Sequence, residues 1–116
     1  MTAQAPVLWV VLTTVPNDED ARRMAHALVE QRLAACVQAE PVRSVYRWNG
    51  AVEEAGERRL TIKTTPQAYP ALEAALLRLH PYDVPQIVAL PAAAASADYA
   101  DWVRDSVVDA AAAPRA

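Results

Sequence analysis

A chain of 116 residues, 53% hydrophobic and 22% charged, has the composition of one globular domain with its own core. Its net charge of −3 argues against a general binder of nucleic acid or of anionic membranes. No apolar run approaches the roughly 20 residues of a membrane-spanning helix, and the single cysteine, Cys36, cannot form an intrachain disulfide.

The start, Met1 to Pro6, has no basic region, and Val7–Leu12 is short for a secretory apolar segment, so cytoplasmic residence is expected. Val7–Thr14 is a continuous apolar run and predicts a strand buried on both faces or nearly so. Asn17 is a good helix N-cap, followed by Asp18, Glu19 and Asp20 where the helix dipole favours acids. Ala21, Met24, Ala25, Leu28 and Val29 fall at helical spacing, which predicts a helix over about 18–33. Leu33–Val37 leads into a second strand, which Pro41 should bend or hold at an unpaired position before it resumes through Val42–Trp48.

Asn49-Gly50 is a strong hairpin signal, because both residues tolerate positive φ. The returning arm is acidic over Ala51–Glu57, with a twist or bulge expected at Gly56, and continues through Arg58–Thr64. Thr65-Pro66 opens a second helical region. Pro70 requires either a regular helix from about Tyr69 or a distorted first turn. Leu72, Leu76 and Leu79 line its buried face, and His80-Pro81 stops it. Gln86–Pro91 reads as a short strand. Ser96 or Asp98 can cap a last helix carrying Tyr99, Trp102, Val103 and Val107.

The order β-α-β-β-α-β plus a terminal helix predicts an α+β fold, the ferredoxin-like sandwich with a long central hairpin. Residues 1–108 should form this one domain, and 109–116 a disordered tail. Helices cover one face. The other is expected to carry Trp9, Tyr46 or Trp48, with no third layer to cover it. An uncovered face and open edges predict a closed homo-oligomer with ribbon edges paired between subunits.

Four polar residues in apolar surroundings are candidates for chemistry. Lys63 is the only lysine of the chain. Its ammonium must find an anion, lose its proton, or snorkel to a sheet edge. His80 ends a helix and is a metal ligand or acid/base candidate, or simply a C-terminal cap. Cys36 reads first as a small core residue. Glu57 is a possible partner of Lys63. No Cys-x-x-Cys or His-x-x-x-His pair occurs. Gly50 and Gly56, the only two glycines, cannot build a phosphate loop. Trp48, Tyr82, Tyr99 and Trp102 divide between core and interface readings.

Five stretches together resemble the CutA family, the divalent-cation tolerance proteins. They are Thr13-Thr-Val-Pro16, Arg32-Leu-Ala-Ala-Cys-Val37, Ser44-Val-Tyr-x-Trp-x-Gly50 with Glu57 and Lys63-Thr-Thr65 behind it, His80-Pro-Tyr-Asp-Val-Pro85, and Tyr99-x-x-Trp102. The resemblance implies a homotrimer, cytoplasmic residence in bacteria, no established enzymatic activity, no required cofactor, and an association with copper and other divalent cations. It also implies an architecture similar to the PII signalling proteins, which bind effectors between subunits. In that alternative a small anionic ligand is held by Lys63. Tyr46, Trp48, Glu57, Lys63, His80, Tyr82 and Trp102 would gather near such clefts. Copper-binding bacterial members carry cysteine at the position of Thr13 and histidine at that of Leu79, so only His80 of that metal site is present. The family's usual glutamate is Gln86 here, which leaves Glu57 as the carboxylate for Lys63.

Overall fold

The computed structural model describes residues 8–108. The expectations placed on Val7 and on the 109–116 tail lie outside the described residues. Among these, seven elements follow in the expected order: β1 (Trp9–Val15), α1 (Asp18–Glu30), β2 (Cys36–Trp48), β3 (Ala51–Thr64), α2 (Tyr69–Leu79), β4 (Val88–Pro91) and α3 (Ala97–Ser106). The strands form one sheet in the order β2-β3-β1-β4, with every neighbouring pair antiparallel.

Strand alternation decides what each face carries. Val11, Val15, Leu60 and Ile62 are fully buried against Met24 and Leu28 of α1 and Leu72 and Leu76 of α2. Thr13 and Thr64 lie on this same covered face, also fully buried. The alternate positions, including Leu12, Thr14, Arg59, Thr61 and Lys63, are half-buried on the open face. β1 is therefore buried on one face and only partly on the other.

Two residues change face relative to expectation. Trp9 shares the parity of Val11 and packs tilted against Tyr69 of α2, with ring centroids 5.5 Å apart, so it belongs to the covered face. Cys36 stands opposite Lys63 on the open face and is half-buried, not a core residue. Its apolar neighbours Ala34 and Ala35 precede the strand, so they say nothing of the strand's parity.

The N-terminus of α1 forms as its sequence requires: Asn17 Oδ1 accepts from the Asp20 N–H at 2.8 Å. The helix ends three residues before the predicted 33, because Arg32 takes φ of 61°. This left-handed residue lets the N–H groups of Leu33 and Ala34 both turn back to Leu28 O. The Arg32 guanidinium then donates to Asp105 O at 2.8 Å and Ser106 O at 3.2 Å, the last carbonyls of α3. Val108 N–H returns a bond to Arg32 O. These bonds help hold α3, whose Val103 packs with Val107, Leu8, Ala35 and Ala68 in a second apolar cluster.

The hairpin turn is the predicted one. Asn49 and Gly50 both have positive φ, 49° and 79°, closing a two-residue loop between Trp48 and Ala51. Neither a bulge at Gly56 nor an unpaired position at Pro41 occurs. Pairing runs unbroken from Trp48↔Ala51 to Cys36↔Lys63, with Gly56 opposite Arg43 and Pro41 opposite Arg58. β2 is an edge strand, so a proline nitrogen turned outward removes no ladder bond. β1 pairs with β3 only as far as Val15↔Arg58. Among the described residues, the ribbon from Val42 to Glu57 therefore has two strands and no third, which draws the molecule out to 54 Å.

α2 starts regularly at Tyr69, with Pro70 in the first turn, where its missing N–H is no loss. Thr65 Oγ1 accepts from the Ala68 N–H just ahead of it. β4 begins at Val88, two residues later than predicted. Pro81 and Pro85 keep the preceding connection irregular.

Candidate functional site

At the root of the ribbon, four segments line a cavity of about 530 Å³. Ser44, Tyr46 and Trp48 come from β2, at alternate positions and so on one face. Glu57 comes from β3 and Thr14 from β1. Pro81, Tyr82, Asp83, Val84 and Gln86 come from the connection after α2. The two prolines of that connection stiffen it, which places Tyr82 over the sheet.

Glu57 is only 7% exposed although it is a carboxylate. Its Oε2 accepts from the Tyr82 hydroxyl at 2.7 Å. Burial, and then the bond and charge of Glu57, push the Tyr82 phenol well above its ordinary range, so it remains a donor at neutral pH. Tyr46 and Trp48 are about half-exposed, with their rings on the cavity side.

His80 lies beside this cavity. Its Nδ1 accepts from the Tyr82 N–H at 3.2 Å, which assigns the proton to Nε2. Nε2 meets Thr13 Oγ1 at 3.0 Å. Burial lowers the His80 pKa below its ordinary value, against smaller opposing effects of the Thr14 backbone, Asp20 and Glu57. A C-terminal cap open to solvent is therefore not what His80 makes: only its backbone N–H closes the helix, onto Leu76 O.

This geometry carries a pH prediction. The folded His80 binds a proton less readily than the unfolded one, so in the window below about pH 6.5 the unfolded state holds more protons. Stability should fall as pH drops from about 6.5 toward the lower folded pKa, and be unaffected by this group above it. Imidazole titration by NMR should give a midpoint below that of an exposed histidine, and His80→Gln should flatten the stability profile between pH 5 and 7. A normal midpoint would refute the assignment.

The family-implied metal can be tested against these donors. The Nδ1 lone pair is taken by a backbone N–H, and Nε2 faces a threonine hydroxyl where soft sulfur would be needed for Cu(I). Leu79 is a half-buried apolar side chain packed on the core. Among the described residues no group of three or more His, Cys, Asp or Glu is placed to hold a metal ion. These residues do not fit a tight copper site.

Tyr46, Trp48, Glu57 and Tyr82 thus come together in one chain, with His80 adjoining. Lys63 and Trp102 do not. Lys63 is six residues from Glu57 on β3, roughly 20 Å along the strand. Its ammonium donates to Gln38 Oε1 at 3.0 Å, so Glu57 is not its partner within the chain. Trp102 lies on α3, its ring tilted against Tyr99 with centroids 5.6 Å apart, and α3 packs at the Lys63 end of the sheet. His26 is exposed beside Glu30. Sequence reasoning missed Thr14, Ser44, Asp83 and Val84. The period-2 alternation through Tyr46 and Trp48 could have supplied Ser44. The fold of the irregular connection had no such signal.

The antiparallel α+β sheet, long two-stranded ribbon and flanking cavity define a class by shape, and comparison gives the class its name. The sequence profile of the CutA1 divalent ion tolerance protein family matches residues 9–106. The chain belongs to the CutA family. It is 53% identical over 98 residues to the divalent-cation tolerance protein CutA of Thermus thermophilus, covering 84% of this chain and 95% of that protein. The solved Thermus thermophilus structure superposes with a TM-score of 0.84 at 51% identity, covering 87% of this chain and 99% of that one. A structure described as the periplasmic divalent cation tolerance protein CutA of Archaeoglobus fulgidus gives 0.85 at 31% identity, covering 87% and 99%.

Proposed function

We propose that this chain is a non-enzymatic, homotrimeric CutA-type protein acting in divalent-cation tolerance, with no required cofactor and at most weak contact with copper. The observation that carries the reading is the family match across nearly the whole described chain, with a 53% identical relative named for that role. We read the β2-β3-β1-β4 sheet as the ferredoxin-like sandwich. Cytoplasmic residence belongs to the same proposal, and cell fractionation tests it against the periplasmic location named for the archaeal relative.

Three features support assembly. Among the described residues the ribbon has no third strand, and a lone two-stranded hairpin is marginally stable in water. Its Val45 and Val52 are exposed on one side, and Tyr46 and Trp48 on the other. The open sheet face carries Val88 and Leu90 exposed beside Val10 and Leu12. Light scattering at micromolar concentration should give three times the chain mass of 12.6 kDa. A monomer would overturn the assembly. Calorimetry with copper should show weak binding at most. Thr13→Cys, which puts sulfur beside His80 Nε2, should strengthen it, and His80→Ala in that background should abolish the gain.

The PII-like alternative, an anionic effector held by Lys63, has less support. The Lys63 ammonium is engaged by Gln38 and stands at the far end of β3 from the cavity. Lys63 and Trp102 would meet Tyr46 and Trp48 only across a subunit boundary.

A further inference from the structure

We propose that prolines set which stretch of each open sheet edge a second copy of this chain joins. Pro41 confines strand addition on β2 to the ribbon segment Val42–Trp48, and Pro85 and Pro91 bracket the edge of β4 that meets it. The inference rests on the trimeric reading and goes beyond it, to the residues that fix the register of the contact.

Ladder alternation places the edge donors. Pro41 has no N–H to give to Arg58, so Pro41↔Arg58 is a pair without mutual hydrogen bonds. Residues of the same parity, Val37, Ala39, Arg43, Val45 and Arg47, therefore turn their N–H and C=O groups away from β3. β2 is an edge strand, so this row faces no strand of its own sheet. Pro41 interrupts the row. An incoming strand meets a missing donor and the proline ring at that point, and one of its own carbonyls is left without a partner. The row is split into Val37 with Ala39 on one side, and Arg43, Val45 and Arg47 on the other.

The interruption falls on a structural boundary. Arg58 pairs with Pro41 on one side and with Val15, the last residue of β1, on the other. Up to that row, β2 and β3 belong to a wider sheet. Past it, among the described residues, the ribbon has only its own two strands. The segment that needs a third strand is thus the one whose outward donors run without a break to the turn.

The other edge of the sheet is β4. Ala92 N–H donates to Leu8 O at 2.8 Å, so Val88 and Leu90 face β1, and Ala89 and Pro91 turn outward. Pro91 ends this outward row and Pro85 stands ahead of it. A closed ring of three identical chains uses heterologous contacts, in which one surface of each copy meets a different surface of the next. The two edges of the described sheet are β2 and β4, so strand addition in such a ring joins the ribbon segment of one copy to the short β4 edge of the next. Edges without such stops invite open-ended sheet growth.

The test is residue-resolved amide hydrogen exchange on the full-length protein in its solution assembly, with light scattering on the same samples. Arg43, Val45 and Arg47 should exchange at least about tenfold more slowly than Val37 and Ala39, as expected for one added hydrogen bond. In Pro41→Val, where the donor row is continuous, slow exchange should spread to Ala39. Val45→Pro removes the middle donor of the ribbon segment but no bond of the intrachain ladder, so the concentration at which the assembly dissociates should rise at least about tenfold. Ala39→Pro, equally outward but beyond the stop, should leave that concentration unchanged. A monomeric wild type defeats the trimeric reading and this inference with it. A trimeric wild type whose two sets of amides exchange alike, or a Pro41→Val variant whose slow exchange still ends at Arg43, overturns this inference alone.

Discussion

Leu60→Ala should lower the free energy of unfolding by about 2–5 kcal/mol, the largest loss expected from any single truncation considered for this chain. Leu60 is fully buried on the covered face of β3, opposite Thr13 of β1 and Ala39 of β2, and packs in the cluster that contains Met24, Leu28 and Leu76. Removing its branch forfeits the transfer free energy of the lost methyl groups and leaves a void that a sheet paired on both sides cannot collapse around. Leu77→Ala is the matched control. Leu77 sits one position from Leu76 on α2 but is 57% exposed, so its truncation should stay within about 0.5 kcal/mol. Urea unfolding at a fixed protein concentration makes the comparison, since association adds a concentration-dependent stabilisation common to both. Equal shifts for the two leucines would show that the assigned core face is wrong.

Thr64→Val should cost about 1–3 kcal/mol although it preserves shape and adds apolar surface. Thr64 is fully buried, and its hydroxyl donates to Leu33 O at 2.8 Å. That carbonyl lies at the sharp passage from α1 into β2, where the chain has left the helix and not yet joined the sheet. Valine would strand a buried acceptor with no water to replace the donor. Thr64→Ser keeps the hydroxyl and loses one methyl, at about 0.8 kcal/mol. The order of stability should be wild type, then serine, then valine. A valine variant as stable as the serine one would mean that the hydroxyl contributes nothing.

The legible parts of this fold are those set by local chemistry. Asn17 with its three acids, the Asn49-Gly50 turn, and Pro70 in a first turn each admit few backbone conformations, and the structure adopts them. What the sequence does not display is parity. Cys36 follows two alanines and precedes a valine, so its neighbours look like core. The register opposite Lys63 nevertheless turns it to the open face. Trp9 suffers the reverse misreading, because a run of apolar residues conceals which alternate set meets the helices. The disagreement at Gly56 and Pro41 has another origin. Both residues weaken strands on average, but an edge strand and its partner tolerate them without a break in pairing. Of the site, Tyr46, Trp48, Glu57, Tyr82 and the adjoining His80 were legible from the resemblance. Lys63 was grouped with them by the same resemblance, but within the chain it lies roughly 20 Å along β3 from Glu57, opposite Cys36 and away from the aromatic pair. Asp83, which lines the cavity, is placed by an irregular connection with no periodicity to read.

Arg32 leaves a mark on which sequences this fold can accept. Its backbone conformation suits glycine or asparagine, and judged locally either would be an improvement. Neither can span the gap to the carbonyls of Asp105 and Ser106. The position is therefore pulled two ways, by the bend it must make and by the terminal helix it must fasten. A long cationic side chain held in an unfavoured twist is the compromise. Substitutions that relax the bend should loosen the far end of the chain, so a repair made at residue 32 would be felt more than 70 positions later.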